Sequence, residues 1–223
     1  ISRLDYDYMP GLKPVLWLDF LHDVLEDEDS ISVLQKFLGA IFLDRRKVKI
    51  ETILFLLGSV ANGKSVVFDT VMGVLGTSNV SNYEITDLTN SADRGKNLID
   101  INGKLLNYCS EVSPRGFSSS SFKSIVSGEP QQARPIYGMP MKVENIPLIM
   151  ANANTMPSYK DVSNGVLRRV IILPFNKRIS EKDQDKELGF KMRDEYPAIM
   201  NWILDGRRRI AADNYIITPS KSA

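Results

Sequence analysis

Residues 52–75 read TILFLLGSVANGKSVVFDTVMGVL, and this stretch decides the fold. Residues 52–57 form a short apolar run with β-branched members that stops at Gly58, the pattern of a buried strand. Residues 64–75 carry apolar side chains at helical spacing, with Val67, Phe68, Val71, Met72 and Leu75 expected inward and Gly76 as the stop. Between them, GSVANGKS at 58–65 is G-x-x-x-x-G-K-S without a mismatch. At average residue usage that pattern arises by chance in about one chain of this length in a hundred. Strand before and helix after are the context it requires. Glycines let the backbone turn tightly, so that successive N–H groups of Gly58, Ser59, Val60, Ala61, Asn62, Gly63, Lys64, Ser65 and Val66 can face phosphate oxygens. The helix N-terminus adds its dipole. Lys64 can reach β- and γ-phosphates, and the Ser65 hydroxyl can ligate Mg²⁺.

Outward from the loop, the pattern alternates. Upstream, residues 13–29 read as one amphipathic helix. Ser30 reads as the cap of a second helix whose face is Val33, Leu34, Phe37, Leu38 and Ile41. The basic cluster Arg45, Arg46, Lys47 and Lys49 leads into the strand. Downstream, strands are expected at 105–109, 146–151 and 170–173, and a short helix at 119–126 ended by Gly128. A hairpin is expected with arms at 134–137 and 141–144, its loop wide because Pro140 cannot donate to a ladder. Residues 181–209 read as helical with a break near Pro197. Strands alternating with helices imply an α/β domain with a largely parallel sheet. The expected division is a helical segment 1–48, a nucleotide-binding core 49–178 and a helical segment 179–223.

The chain has 223 residues with 43% hydrophobic and 25% charged side chains, which excludes disorder, collagen and coiled coil as whole-chain readings. One cysteine, Cys109, excludes a disulfide framework and a multi-cysteine zinc site; one histidine, His22, excludes His-pair metal motifs. No apolar run approaches the ~20 residues of a membrane span, and no signal peptide is visible, so a cytoplasmic setting without membrane is expected. The chain begins at Ile1, which suggests a fragment of something longer. Net charge is only +1, but residues 115–178 hold nine basic and three acidic side chains. Polyanion binding and a solvated basic face both explain that asymmetry.

Three further stretches carry candidate chemistry. LLNYCSEV at 105–112 brings Glu111 to a strand end, where a carboxylate can bind Mg²⁺ through water or polarise an attacking water. Ser110 stands where many motor ATPases have a first acidic residue. IPLIMANANTMP at 146–157 ends in Asn152 and Asn154. An amide at a strand tip beside the phosphate strand can orient a water, and a turn asparagine reads equally well. LRRVIILPF at 167–175 places Arg168 and Arg169 before a strand. They read as guanidinium groups against a transferring phosphate or as a surface ion pair.

In this order the motifs resemble those of the superfamily III DNA helicases, in the branch of phage and plasmid primase-helicases related to the poxvirus primase-helicase. The resemblance covers most of the chain: LQKFLGAIFL at 34–43, the Asn-Gly-Lys-Ser loop, Glu111, FKSIVSGEPQQARPIY at 122–137, Asn154-Thr155-Met156-Pro157, Arg168-Arg169 with IILPF, and IMNWILDG at 199–206. It implies an AAA+ fold working as a ring, a homo-hexamer, with ATP and Mg²⁺ between subunits. Lys64, Glu111, Asn154 and a finger arginine supplied in trans would be catalytic. Arg169 is favoured as the finger and Arg168 kept. Ser65 and Glu111 would hold the metal. A hairpin at about 130–145 would track single-stranded DNA through Arg134 and Lys142. Lys123 and Gly128 match a family motif in which Lys123 contacts DNA or shapes the element. Tyr137 would stack on a base or pack. A primase domain is expected on the same longer chain or in trans.

The reading is therefore an ATP-driven helicase motor of a phage- or plasmid-type element in a bacterial cell. Two alternatives stay open: a nucleotide-binding assembly module without helicase activity, and a small-molecule P-loop kinase.

Overall fold

The structure is a computed structural model and describes residues 3–110, 112, 120–135, 138–155 and 163–221. In chain order its elements are α1 (Val15–Leu25), α2 (Glu28–Ala40), β1 (Ile53–Leu57), α3 (Lys64–Leu75), β2 (Val80–Ser81), α4 (Ile85–Thr89), α5 (Arg94–Ile101), β3 (Leu106–Cys109), α6 (Ser120–Val126), β4 (Gln131–Ala133), β5 (Met141–Val143), β6 (Leu148–Ala153), α7 (Asn164–Leu167), β7 (Val170–Pro174), α8 (Leu188–Lys191) and α9 (Tyr196–Ala212). Five strands form a mostly parallel sheet in the order β2-β3-β6-β1-β7, and β4 and β5 form a separate antiparallel pair. This is the α/β architecture that the alternation implied. Chain-consecutive strands β1 and β2 are not neighbours, so the connection between them is a crossover carrying α3. β6, which carries Asn152, neighbours β1. In β1, Ile53, Leu54, Phe55 and Leu56 are fully buried, each contributing roughly 1.5–3 kcal/mol of burial.

The chain divides into two compact units. The first gathers Ile1–Phe42, Leu56–Asn79 and Ile172–Ala223. Its helices α2 and α9 meet backbone to backbone: a Cβ on Gly39 would lie 2.1 Å from Arg207 N, and one on Gly206 would lie 2.0 Å from Gln35 O. Gln35, buried at that crossing, donates to Trp202 O at 2.9 Å. Trp17 of α1 stands edge-on to Trp202 of α9, with ring centroids 5.9 Å apart. Pro14 cannot cap α1 with its side chain; the Glu195 carboxylate does so instead, accepting from Leu16 N (3.0 Å) and Trp17 N (2.9 Å).

Several boundaries differ from the sequence reading. The helix expected over 13–29 stops at Leu25 because Glu26 turns into the left-handed region (φ 62°). Asp27, not Ser30, then caps α2: its Oδ1 accepts from Ser30 N at 2.7 Å. α3 has the expected bounds, but its buried stripe is Val67, Thr70, Val71, Val74 and Leu75, with Phe68 and Met72 half-buried. The C-terminal helix begins at Tyr196, with Pro197 in its first turn, where the missing N–H removes no hydrogen bond. Residues 181–187 are turn and coil.

The second unit gathers Leu43–Phe55 and Val80–Ile171. β2, β3 and β6 run parallel, with Ser81 opposite Asn107 and Cys109 opposite Ala151. α4, α5, β2 and β7's final residue were not anticipated from the sequence. The hairpin pairs Gln131 with Val143 and Ala133 with Met141, so its first arm lies earlier than expected. Pro135 has no N–H for a ladder. Ile136 and Tyr137 lie outside the described residues. Arg45, expected as one of a basic cluster, is buried: its guanidinium donates to the carbonyls of Ile146 (3.1 Å), Pro147 (3.0 Å), Ile50 (2.7 Å) and Val126. Burial pulls it down to about 10, so it remains charged at neutral pH. Among the described residues, no helix is long and apolar enough to cross a membrane.

Candidate functional site

The loop between β1 and α3 belongs to the first unit. Gly58 is required by close approach: a Cβ there would lie 2.3 Å from Asn62 Nδ2 and 2.4 Å from Phe175 O. Gly63 has φ 90° and would meet Val24 and Phe20. Ala61 takes the left-handed region too (φ 59°), and its carbonyl accepts from Ile179 N at 2.8 Å. The Asn62 amide, buried, donates to Phe175 O at 3.1 Å. The adjacent residues Ala61 and Asn62 thus tie the loop to Ile179 and Phe175.

Lys64, the first residue of α3, is 7% exposed. Its Nζ donates to Gly58 O and Ser59 O at 2.6 Å each and to Asn62 Oδ1 at 3.0 Å. Three donors meet three acceptors, so a phosphate oxygen would replace one of them rather than meet a bare ammonium. Burial pulls the Lys64 ammonium below the usual lysine range. Gly63 offers no side-chain cap to α3, leaving first-turn N–H groups for an anion. Ser59, Val60, Ala61 and Ser65 are exposed, and Val66 is half-buried. The Ser65 hydroxyl at that helix start suits the hard-oxygen preference of Mg²⁺, and the loop suits a nucleotide's phosphates.

A cleft of about 430 Å³ lies in the second unit, lined by Glu84, Thr86, Ser110, Val112, Asn152, Asn154 and Thr155. The ends of β3 and β6 deliver Ser110, Asn152 and Asn154 to it. Ser110 Oγ donates to Glu84 Oε1 at 3.0 Å. Asn152 Nδ2 contacts the Tyr108 hydroxyl, and its Oδ1 is buried without a partner. Asn154 is exposed at the rim. Glu111, Met156 and Pro157 lie outside the described residues. Glu84 was missed by the sequence reading; its signal was the E-x-x-D spacing at 84–87, which forms a capping box on α4.

The paired arginines differ sharply. Arg169 has an 8% exposed side chain, and its guanidinium donates to Ser127 Oγ (3.0 Å), Gly165 O (2.6 Å) and Glu51 Oε2 (3.2 Å). The Arg168 side chain is 67% exposed, with only a 3.8 Å ion pair to Glu51. Burial alone would raise the Glu51 carboxyl, but the hydrogen bond from Lys49 and the charge of Arg169 outweigh it and hold it low. Of the DNA candidates, Lys142 is exposed and paired with Glu144 at 2.7 Å. Arg134 is exposed just after β4, with Nε on Gly138 O at 3.0 Å. Lys123, in α6, is half-buried, its Nζ beside Gly165.

The fold is that of an α/β protein with a mostly parallel sheet, an architecture consistent with nucleotide binding. The chain belongs to the family of unknown function DUF5906, whose model matches residues 56–169. That span runs from the end of β1 to Arg169. Three similar solved structures are of the NrS-1 C-terminal region. An A-form apo structure is 16% identical with a TM-score of 0.65, covering 89% of this chain and 49% of that one. A second A-form apo structure is 15% identical (TM-score 0.67, 89% and 46%), and a further apo structure is 14% identical (0.67, 94% and 55%). This chain therefore spans about half the length of the structures it matches, and the likeness is one of fold. No curated protein sequence matches it.

Proposed function

We propose that this chain is the ATP-hydrolysing motor of a DNA helicase of the phage and plasmid primase-helicase type, within superfamily III and with an AAA+ core. The observation that carries this is Lys64: a buried ammonium at the first position of α3, held by carbonyls of the glycine-bounded loop that β1 feeds. The loop N–H groups and Lys64 would bind the β- and γ-phosphates of ATP, and Ser65 would hold Mg²⁺ together with Glu111. Mg²⁺ would neutralise charge on the phosphate oxygens. Glu111 and Asn154 would orient the attacking water.

An arginine that acts across a subunit boundary must be exposed on its own subunit. Arg168 meets that condition and Arg169 is engaged within its own unit, so the finger role moves to Arg168. The remaining parts rest on the resemblance: a hexameric ring, single-stranded DNA held by the 131–143 hairpin through Arg134 and Lys142 with Lys123 in support, and a primase domain on the same chain or in trans. A cytoplasmic setting goes with that reading.

One observation favours a second reading, an assembly module that binds ATP without turning it over: Ser110 offers a hydroxyl at the β3 end where a motor commonly has a carboxylate. The test is ATP hydrolysis with and without single-stranded DNA, on wild type and Lys64→Ala, with oligomer size from light scattering. DNA-stimulated turnover lost in the variant supports the motor. ATP-dependent rings without turnover support the assembly module.

A further inference from the structure

Within the first unit, the segment after β7 is fastened to the 58–66 loop on both sides of a short basic stretch. On one side, Phe175 N donates to Leu57 O at 2.7 Å and Phe175 O accepts from Asn62 Nδ2 at 3.1 Å. On the other, Ile179 N donates to Ala61 O at 2.8 Å. The residues bracketed by these anchors are Asn176, Lys177 and Arg178. Arg178 is bonded in the chain to the residue that grips the loop, with Cα atoms about 3.8 Å apart. Its place beside the loop is therefore set by backbone hydrogen bonds.

The two cations of this stretch are used differently. Lys177 Nζ donates to Asp23 Oδ1 of α1, the helix whose Phe20 and Val24 a Cβ on Gly63 would meet. Lys177 is thus neutralised on the α1 side. Arg178 is exposed, with no hydrogen bond or ion pair among the described residues. Within 58–66 the one charged side chain is Lys64, and its ammonium already meets three acceptors. A polyphosphate at the loop brings several negative charges, more than one engaged ammonium answers. A guanidinium offers forked donors that match phosphate oxygens, and no ion pair has to break to recruit Arg178.

We propose that Arg178 is a second phosphate-binding cation of this loop, acting within its own subunit and taking phosphate oxygens of the bound nucleoside triphosphate from the 175–179 side. This rests on the ATP reading above and deepens it. Arg178→Gln removes the charge and leaves the backbone anchors at Phe175 and Ile179 in place.

The experiment titrates the full chain with a fluorescent, non-hydrolysable ATP analogue at about 50 mM and about 0.5 M salt. Arg178→Gln should weaken binding about tenfold at the lower salt and less than about threefold at the higher, because an exposed charged contact is screened. Arg178→Lys keeps the charge and loses the fork, so its low-salt affinity should fall between those of wild type and Arg178→Gln. Unchanged affinity in Arg178→Gln overturns the inference and leaves the ATP reading intact. An equal loss at both salts also overturns it, since a change in loop shape is not screened. No analogue binding by wild type overturns the ATP reading and this inference with it. Should circular dichroism show that Arg178→Gln is unfolded, Arg178→Met, which keeps an apolar stem, takes its place under the same expectations.

Discussion

Arg169 Nη2 lies 3.2 Å from Glu51 Oε2, and the same guanidinium is fastened to Ser127 and Gly165. Three separate segments of one unit therefore converge on one buried cation, whereas its neighbour Arg168 projects to solvent. Arg169→Ala should lower stability by about 3 kcal/mol, because Glu51, Ser127 and the Gly165 carbonyl lose a shared buried partner at once. Arg168→Ala should change it by less than about 1 kcal/mol and lower ATP turnover of the assembled protein by about 10³-fold. Urea unfolding and steady-state ATPase assays read both. Equal stability loss in the two variants would reject the division of roles.

Glu51 makes this network pH-dependent. Its carboxyl is held below the usual range in the folded chain by Lys49 and Arg169 against the opposing effect of burial. A depressed acid contributes stability that is present above the unfolded carboxylate value and is lost as pH falls through the folded one. Stability should therefore decline on acidification below about pH 4. Glu51→Gln should be less stable than wild type at pH 7, with the gap closing at acid pH. Thermal melts from pH 7 to pH 3 would show a constant gap if Glu51 were not involved.

Gly58→Ala should damage the loop more than its one methyl suggests. The added Cβ meets Phe175 O at 2.4 Å, and a backbone carbonyl cannot swing away as a side-chain tip can. Overpacking of this kind costs about 1–3 kcal/mol. Because Gly58 O is also an acceptor for Lys64, ATP analogue affinity should fall as well. Fluorescence titration of the analogue checks this, and wild-type affinity with wild-type stability would contradict the geometry.

Arg45→Lys should not rescue Arg45→Ala. The planar guanidinium reaches carbonyls on four residues, Ile50, Val126, Ile146 and Pro147, and a lysine ammonium has three donors on one point. Both variants should lose about 3 kcal/mol or more, since buried carbonyls are left unsatisfied. Denaturant midpoints of the two variants would be expected to coincide within about 1 kcal/mol.

Cys109 should be silent toward thiol reagents in the native chain. It is fully buried, donates to Tyr83 O, and burial pushes its thiol well above the ordinary value, so little thiolate forms near neutral pH. Ellman titration should read no fast thiol natively and one after denaturation.

The strand, loop and helix at 53–75 were legible because their pattern is local: glycine spacing, a lysine and a serine within eight residues, between a buried strand and a helix. The bounds of α3 and β1 were equally local, since apolar periodicity and a closing glycine are written into consecutive residues. Other features were not. Nothing in the sequence separates Arg45 from Arg46, Lys47 and Lys49, or Arg169 from Arg168, because burial of one cation depends on carbonyls and carboxylates from distant segments. The α1–α2 break at Glu26 and Asp27 was hidden by acidic residues that fit a helix end and a helix start alike.

By itself, the sequence determined the α/β alternation and singled out the loop proposed to take a phosphate, because both follow from side-chain period and residue type over short spans. Only the tertiary structure decided the strand order β2-β3-β6-β1-β7, the partnering of Arg169 with Glu51, and the meeting of Glu84 with Ser110. Those depend on which strands pair across a crossover and which turns a sheet register brings side by side, and no local pattern carries that information.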